Sequence, residues 1–272
     1  MTTARFTASD GVRISYMDVG DRNAPAVALV HGLGAAGLQF VSDAMYLAER
    51  GRRVLIPDLR GHGASKVASL AGVHFGYQRI ARDMAEMLDH AGVERVDWVG
   101  NSLGGIAALE LLKSDAPRLS SLTLFGTAFR LALPALSSRF IPWLYAFPGP
   151  ALTAKVTAAA TTADPAARAL VESMLLDFDP RVGAAIAASV RSYDLRAPAM
   201  DYAGPMLVIR GGRDTAVNAA LADGVSLLSG RPNFTLVQMP SGGHCANLDD
   251  PAFFRDTLER FWAYAPSPAP AP

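Results

Sequence analysis

Asp97-Trp98-Val99-Gly100-Asn101-Ser102-Leu103-Gly104-Gly105-Ile106-Ala107-Ala108 runs from an apolar strand into an apolar helix, with a serine fenced by glycines between them. A reversal this sharp leaves no room for side chains at Gly100 and Gly104 and holds residue 102 on a strained apex. Such a serine is either a nucleophile lifted above the carboxyl ends of a sheet or a small residue capping a helix. The pentapeptide Gly-Asn-Ser-Leu-Gly fits both, so the decision rests with the rest of the chain.

Outward from this stretch, short apolar runs recur: Ala26 to Val30, Arg53 to Pro57, Val96 to Val99, Leu119 to Phe125, Met206 to Ile209 and Phe234 to Val237. Their brevity and continuous apolarity predict parallel strands covered on both faces. Val12 to Val19 instead alternates apolar with polar residues, which predicts a half-buried antiparallel edge strand after a short first strand near Phe6. Between strands, Tyr77 to His90 places Ile80, Met84, Met87 and Leu88 on one helical face, and Leu103 to Leu112 is an apolar helix that must be buried. The alternation predicts an α/β fold, a mostly parallel eight-stranded sheet flanked by helices.

The pattern breaks between Ala128 and Tyr202, where Ala-rich helical segments replace strands. Asp164-Pro165 and Asp179-Pro180 each supply an N-cap carboxylate and a proline at the first helical position, as does Asp250-Pro251 for the final helix. The expected division is a core of residues 1–127 and 203–264, an inserted helical cap of 128–202, and a low-complexity Pro/Ala tail of 265–272.

Composition narrows the function. With 25 acidic against 25 basic residues and no basic run, nothing suits nucleic acid or an anionic membrane. The single cysteine, Cys245, excludes an internal disulfide and a multi-cysteine metal site. The N-terminal Met1 to Phe6 lacks the apolar core of a signal peptide, and Phe140 to Pro148 is too short and proline-broken to span a bilayer. The expectation is a cytoplasmic protein acting on a small molecule, with Phe140 to Pro148 as a pocket lining or lid.

A nucleophilic Ser102 needs a base, and histidine has the suitable pKa. Of five histidines, His90 and His74 read as surface residues, His62 as part of a tight turn, and His31, before Gly32-Leu33-Gly34, as shaping a loop. His244, in Ser241-Gly242-Gly243-His244 beyond the last strand, can reach over the sheet. Its orienting carboxylate should follow a late strand. Gly211-Gly212-Arg213-Asp214 does so directly, whereas Gly126-Thr127-Ala128 after an earlier strand offers no acid, and Asp223, Asp249 and Asp250 read as solvated or capping. Asp214 as a surface turn residue is the competing reading, made less attractive by the order serine, acid, histidine.

These spaced motifs resemble those of the α/β-hydrolase family. Val30-His31-Gly32-Leu33-Gly34 is similar to its oxyanion loop, Asp58-Leu59-Arg60-Gly61-His62-Gly63-Ala64-Ser65 to a second family loop, Gly100 to Gly105 to its nucleophile elbow, and Asp214 and Gly243-His244 to its acid and base positions. The resemblance covers about Phe6 to Tyr264 and implies a triad of Ser102, Asp214 and His244, an oxyanion hole from the Leu33 and Leu103 backbone N–H groups, and no cofactor or metal. It also implies a cap inserted after the sixth strand, whose Phe129, Trp143, Phe147, Met174 and Phe178 are candidates for an apolar pocket.

The substrate is less determined, because the same fold serves esterases, lactonases, carbon–carbon bond hydrolases, perhydrolases, dehalogenases, epoxide hydrolases and non-catalytic receptors. Dehalogenases and epoxide hydrolases resembling this family use an aspartate nucleophile, and this elbow carries serine. Gly-Asn-Ser-x-Gly-Gly resembles hydrolases of ring-cleavage products, but those carry a tryptophan soon after the histidine, where this chain reads His244-Cys245-Ala246-Asn247-Leu248-Asp249. That loop is similar to small esterases and enol-lactonases. The expected function is therefore hydrolysis of a carboxylic ester or lactone, with carbon–carbon hydrolysis and a ligand receptor as alternatives. Cys245 is expected to pack and Arg191 to face solvent.

Overall fold

The strands that form are β1 (Thr2–Thr7), β2 (Arg13–Val19), β3 (Ala26–Val30), β4 (Arg53–Asp58), β5 (Val96–Asn101), β6 (Leu119–Phe125), β7 (Arg130–Ala132), β8 (Ser192–Asp194), β9 (Met206–Gly211) and β10 (Phe234–Met239). In this computed structural model, which describes residues 1–133 and 149–264, eight of them make one sheet in the order β1-β2-β4-β3-β5-β6-β9-β10. β1 and β2 pair antiparallel, as do β2 and β4, and every pairing from β4 onward is parallel. β2 is thus not the edge expected from its alternation: β1 takes that place, and β2 is largely buried between its neighbours.

Period-two geometry explains why the central runs are apolar throughout. Val27, Leu29, Val54, Ile56, Leu207 and Ile209 face helices α1 (Val41–Ala48) and α10 (Pro251–Tyr264), which contribute Leu47, Phe254 and Leu258. Ala28, Val30, Leu55, Trp98 and Val208 face the opposite layer, built from α2 (Tyr77–His90) and α3 (Leu103–Asp115). Trp98 is fully buried, and its indole N–H donates to the Gly104 carbonyl at 3.1 Å, so its one polar group is satisfied inside the core.

Between β6 and β9 lie α4 (Pro150–Thr161), α5 (Pro165–Asp177), α6 (Pro180–Val190) and α7 (Arg196–Asp201). The caps form as their residues dictate: Asp164 accepts from the Ala167 N–H at 2.8 Å and Asp179 from the Arg181 N–H at 2.8 Å. Asp250 likewise accepts from the Phe253 N–H at the start of α10. The insertion is not wholly helical, because β7 and β8 pair antiparallel across its root. Three-residue strands are too short for alternation to show in sequence. The core then closes with β9, α8 (Thr215–Leu228), β10, α9 (Ala246–Asp249) and α10. No helix among the described residues is long and apolar enough to cross a membrane.

Where α3 crosses the sheet, backbone meets backbone. A Cβ on Gly104 would lie 2.2 Å from the Val30 carbonyl oxygen, and one on Gly100 2.6 Å from the Gly105 nitrogen. Neither neighbour is a side chain that can swing away. Gly104→Ala is therefore expected to lower stability by about 3 kcal/mol or more. Gly76→Ala, whose added methyl meets only the end of the Gln78 side chain, should cost less than about 1 kcal/mol. Urea unfolding of the two variants checks this, and equal midpoints would refute it.

Candidate active site

The elbow forms as its glycines require. Ser102 has φ 50° and ψ −111° and is the one non-glycine residue with positive φ among the described residues. Holding a side-chain-bearing residue there costs on the order of 1–3 kcal/mol, so its surroundings must fix it. Its N–H donates to the Phe125 carbonyl at 3.0 Å, and its carbonyl accepts from the Gly105 and Ile106 N–H groups and from the Thr127 hydroxyl. The hydroxyl is thereby carried at the carboxyl end of β5, at the N-terminus of α3, where the helix dipole favours negative charge.

His244 arrives from the loop after β10. Its Nδ1 lies 2.8 Å from Asp214 Oδ2, with the two side chains 26% and 10% exposed. A carboxylate only accepts, so Nδ1 carries the proton and Nε2 is left as the acceptor. The glycines preceding both residues make this distance possible. A Cβ on Gly211 would sit 2.6 Å from the Gly243 carbonyl oxygen, and one on Gly212 2.8 Å from that of Pro240. Bonds from the Gly212 N–H to the Met239 carbonyl and from the Arg213 N–H to the Gly242 carbonyl hold the two loops together. Among the described residues no hydrogen bond joins the Ser102 hydroxyl to His244, and contacts of this kind commonly tighten only when substrate binds.

The loop His31 to Gly34 abuts the serine: a Cβ on Gly32 would lie 3.2 Å from Ser102 Cβ. Two histidines lock it. His31 donates from Nδ1 to the Gly32 carbonyl at 2.7 Å and accepts at Nε2 from the Leu59 N–H at 3.0 Å. His62 donates from Nδ1 to the Arg60 carbonyl and accepts at Nε2 from the Gly34 N–H at 3.1 Å. Each ring is fully buried with one nitrogen donating and the other accepting, so each must be neutral. Burial pushes His31 down to about 4 and, with His31 as a second cause, His62 to about 3. The loop bearing His62 is anchored in turn by Arg60, which pairs with Asp83 and Asp10 and donates to the His74 carbonyl.

The sequence offers Asn101 only as a hint of carbon–carbon chemistry, and its structural role is different. Its side-chain N–H group donates to the His244 carbonyl at 2.9 Å and to that of Phe125, and its Oδ1 accepts from Gln39. Gln39 also donates to Asn247, which donates to Asp43, itself paired with Arg255. A buried amide chain therefore runs beneath the site from the elbow to the loop after His244. Gly126, with φ 58°, threads between: a Cβ there would meet Asn101 Nδ2 at 2.8 Å and His244 Cε1 at 3.1 Å. Its place beside Ser102 marks Asn101, but its partners are too distant in sequence to show what it holds.

The pocket candidates separate. Met174 packs with Ala36, Val171 and Cys245, and Phe178 stacks on the His62 ring with centroids 4.4 Å apart. Both line a cavity of about 380 Å³ with Tyr16, Met17, Ala36 and Asp58, a lining that includes none of Ser102, Asp214 and His244. Phe129 does not join them: its ring lies against Gly224 of α8, with Ala199 and Leu227 nearby, where it fills the base of the insertion. Trp143 and Phe147 lie outside the described residues. Cys245 is buried, with its thiol pushed up to about 12 by burial, as a packing residue would be. Asp223 pairs with Arg196 on the surface. Asp249, expected to be solvated or capping, is bonded on both sides, to the turn before α5 and to the histidine loop. Its carboxylate finds donors there that only folding assembles.

The order of the sheet and the elbow beneath an acid–histidine pair define a class. A family model described as serine aminopeptidase, S33, matches residues 21–250, and the chain belongs to the α/β-hydrolase family. Epoxide hydrolase A of Mycobacterium tuberculosis is 30% identical over 145 residues, a match that spans 53% of this chain and only 43% of that protein. A putative carbamate hydrolase, RutD, of Variovorax paradoxus is 29% identical over 273 residues, covering 94% of this chain and 98% of the relative. Among solved structures, the enol-lactonase of Burkholderia xenovorans LB400 superposes with a TM-score of 0.81 at 25% identity, over 96% of this chain and all of that one.

The neutral histidines predict a pH dependence. Their folded-state values lie below the ordinary value of about 6.5, so the unfolded chain binds more protons between pH 6.5 and about 3. Stability contributed by these two groups is complete above pH 6.5 and falls as pH drops toward 4. Thermal melts of the wild type should decline over that range more steeply than those of His31→Gln/His62→Gln, whatever the variant's lower starting point. Parallel declines would count against the assignment.

Proposed function

We propose that this protein is a serine hydrolase that cleaves a carboxylic ester or lactone of a small, largely apolar substrate through an acyl-enzyme on Ser102. The observation that carries the reading is the 2.8 Å contact of His244 Nδ1 with Asp214 beside the strained elbow. With Nδ1 committed to Asp214, His244 Nε2 takes the Ser102 proton during attack, returns it to the leaving alcohol, and then deprotonates the water that releases the acyl group. Asp214 stays ionised and stabilises the imidazolium. The Leu33 and Leu103 N–H groups receive the oxyanion, each worth roughly 3 kcal/mol in comparable sites.

Met174, packed with Cys245, and Phe178, stacked on His62, stand next to the loops that bear these groups and are the apolar wall of this reading, which Trp143 and Phe147 extend from the sequence. Likeness to an enol-lactonase over the whole chain supports ester or lactone substrates, and likeness to a putative carbamate hydrolase supports the same acyl transfer. Epoxide hydrolysis is disfavoured by the serine at the elbow. Asn101, the hint of carbon–carbon chemistry, is occupied in bonding the His244 backbone.

Ser102→Ala should reduce turnover of a short p-nitrophenyl ester to background and abolish fluorophosphonate labelling while leaving the melting curve in place. Substantial retained turnover would remove Ser102 from the mechanism. Within a panel of esters, an enol-lactone, an aryl carbamate and a vinylogous ring-cleavage diketone, the esters and lactone should turn over fastest. Preference for the diketone would favour carbon–carbon cleavage, and a single slow acylation without turnover would favour a receptor.

A further inference from the structure

The turn between α4 and α5 rests directly on the loop that carries His244. Asp249 makes the junction. Its Oδ1 accepts from the Thr162 hydroxyl at 2.5 Å and from the Ala163 N–H at 2.9 Å, while its Oδ2 accepts from the Gly243 N–H at 2.6 Å. On the other side of the histidine, the Cys245 N–H donates to the Thr161 carbonyl at 3.3 Å. Residues 243 and 245 are thus both bonded to this junction, and 244 lies between them. The fit is close: a Cβ on Gly243 would lie 2.6 Å from the Thr161 carbonyl oxygen.

We infer that Asp249 is a positioning residue for the catalytic base, clamping the cap turn Thr161 to Ala163 to the His244 loop so that the base is in place only when this part of the cap is docked. The inference rests on the proposed role of His244. A carboxylate suits the task because both its oxygens only accept, and donors approach from two sides. An amide of the same size cannot replace it. Whichever way Asn turned, its NH2 would face either the Gly243 N–H or the Thr162 and Ala163 donors, and one side of the clamp would open. Thr162 gives a second handle, since valine keeps its shape without the hydroxyl and serine keeps the hydroxyl.

The test compares wild type with Asp249→Asn, Thr162→Val and Thr162→Ser. Expected are an order-of-magnitude or greater fall in the fluorophosphonate labelling rate for Asp249→Asn and a smaller fall for Thr162→Val, with Thr162→Ser close to wild type. Ester kcat should fall in step while KM changes little, for short and long acyl chains alike, because the base and not the pocket is disturbed. The downfield NMR resonance of the His244 Nδ1 proton should broaden or move upfield in Asp249→Asn. Unchanged labelling and resonance beside a lowered melting temperature would overturn the inference, leaving Asp249 a structural tie, and so would an effect confined to KM. If Asp249→Asn does not fold, Thr162→Val against Thr162→Ser decides by the same readings. Failure of fluorophosphonate to label even the wild type would sink the Ser102 mechanism instead, and the imidazole resonance would still decide whether Asp249 holds His244.

Discussion

The structure depends on the contact of α3 with the sheet at Gly100 and Gly104, where main chain lies on main chain. Ordinary helix–sheet packing keeps two layers of side chains between the elements. Here the layers vanish at one place, the approach of Gly104 to the Val30 carbonyl, and the neighbouring Gly105 leaves room only for the Thr127 side chain. The chain must therefore turn from strand to helix within one residue, and that residue takes the strain. Ser102 is held by bonds to β6 and to the segment that follows it, so the strain is carried by the middle of the sheet. The β5–β6 pair, buried on both faces except at Asp97 and Ser120, is well suited to carry it.

From that fixed point the remaining groups are placed by loops whose glycines permit close approach and whose polar atoms are satisfied. The Asp214 and His244 loops meet through main-chain bonds, the His31–Gly34 loop is held by neutral imidazoles, and the amide chain of Asn101, Gln39 and Asn247 joins elbow to histidine loop. These are buried polar contacts in a low-dielectric setting, where a missing partner is costly and a complete set is rigid. Rigidity of this sort is what acyl transfer requires of groups that must not reorganise as charge develops.

Much of this was legible in the sequence, and the division has a physical cause. Ala26–Val30, Leu119–Phe125 and the helix Tyr77–His90 could be read to the residue because burial on fixed faces imposes a local pattern. The aspartate–proline starts were legible because a cap is a bond within four residues. β7 and β8 were not, since three-residue strands leave no period. The roles of Asn101 and Asp249 were not, because each depends on a partner far along the chain, His244 at 143 residues from Asn101 and Thr162 at 87 from Asp249. Phe129 was assigned to the pocket by its composition and place in the chain, but the bare backbone at Gly224 offered its ring a closer seat.

Phe178 stacks on His62, whose far edge holds the Gly34 N–H, while Leu175 lies against Gly34 itself. The last turn of α5 and the residue after it are thus in contact with the His31–Gly34 loop, as the turn before α5 is with the histidine loop. For anyone exchanging lids between relatives, this shifts the seam. A graft cut at the ends of the insertion would replace both contacts at once, whereas one that keeps Ala158 to Phe178 with the core would leave the supports of both loops native.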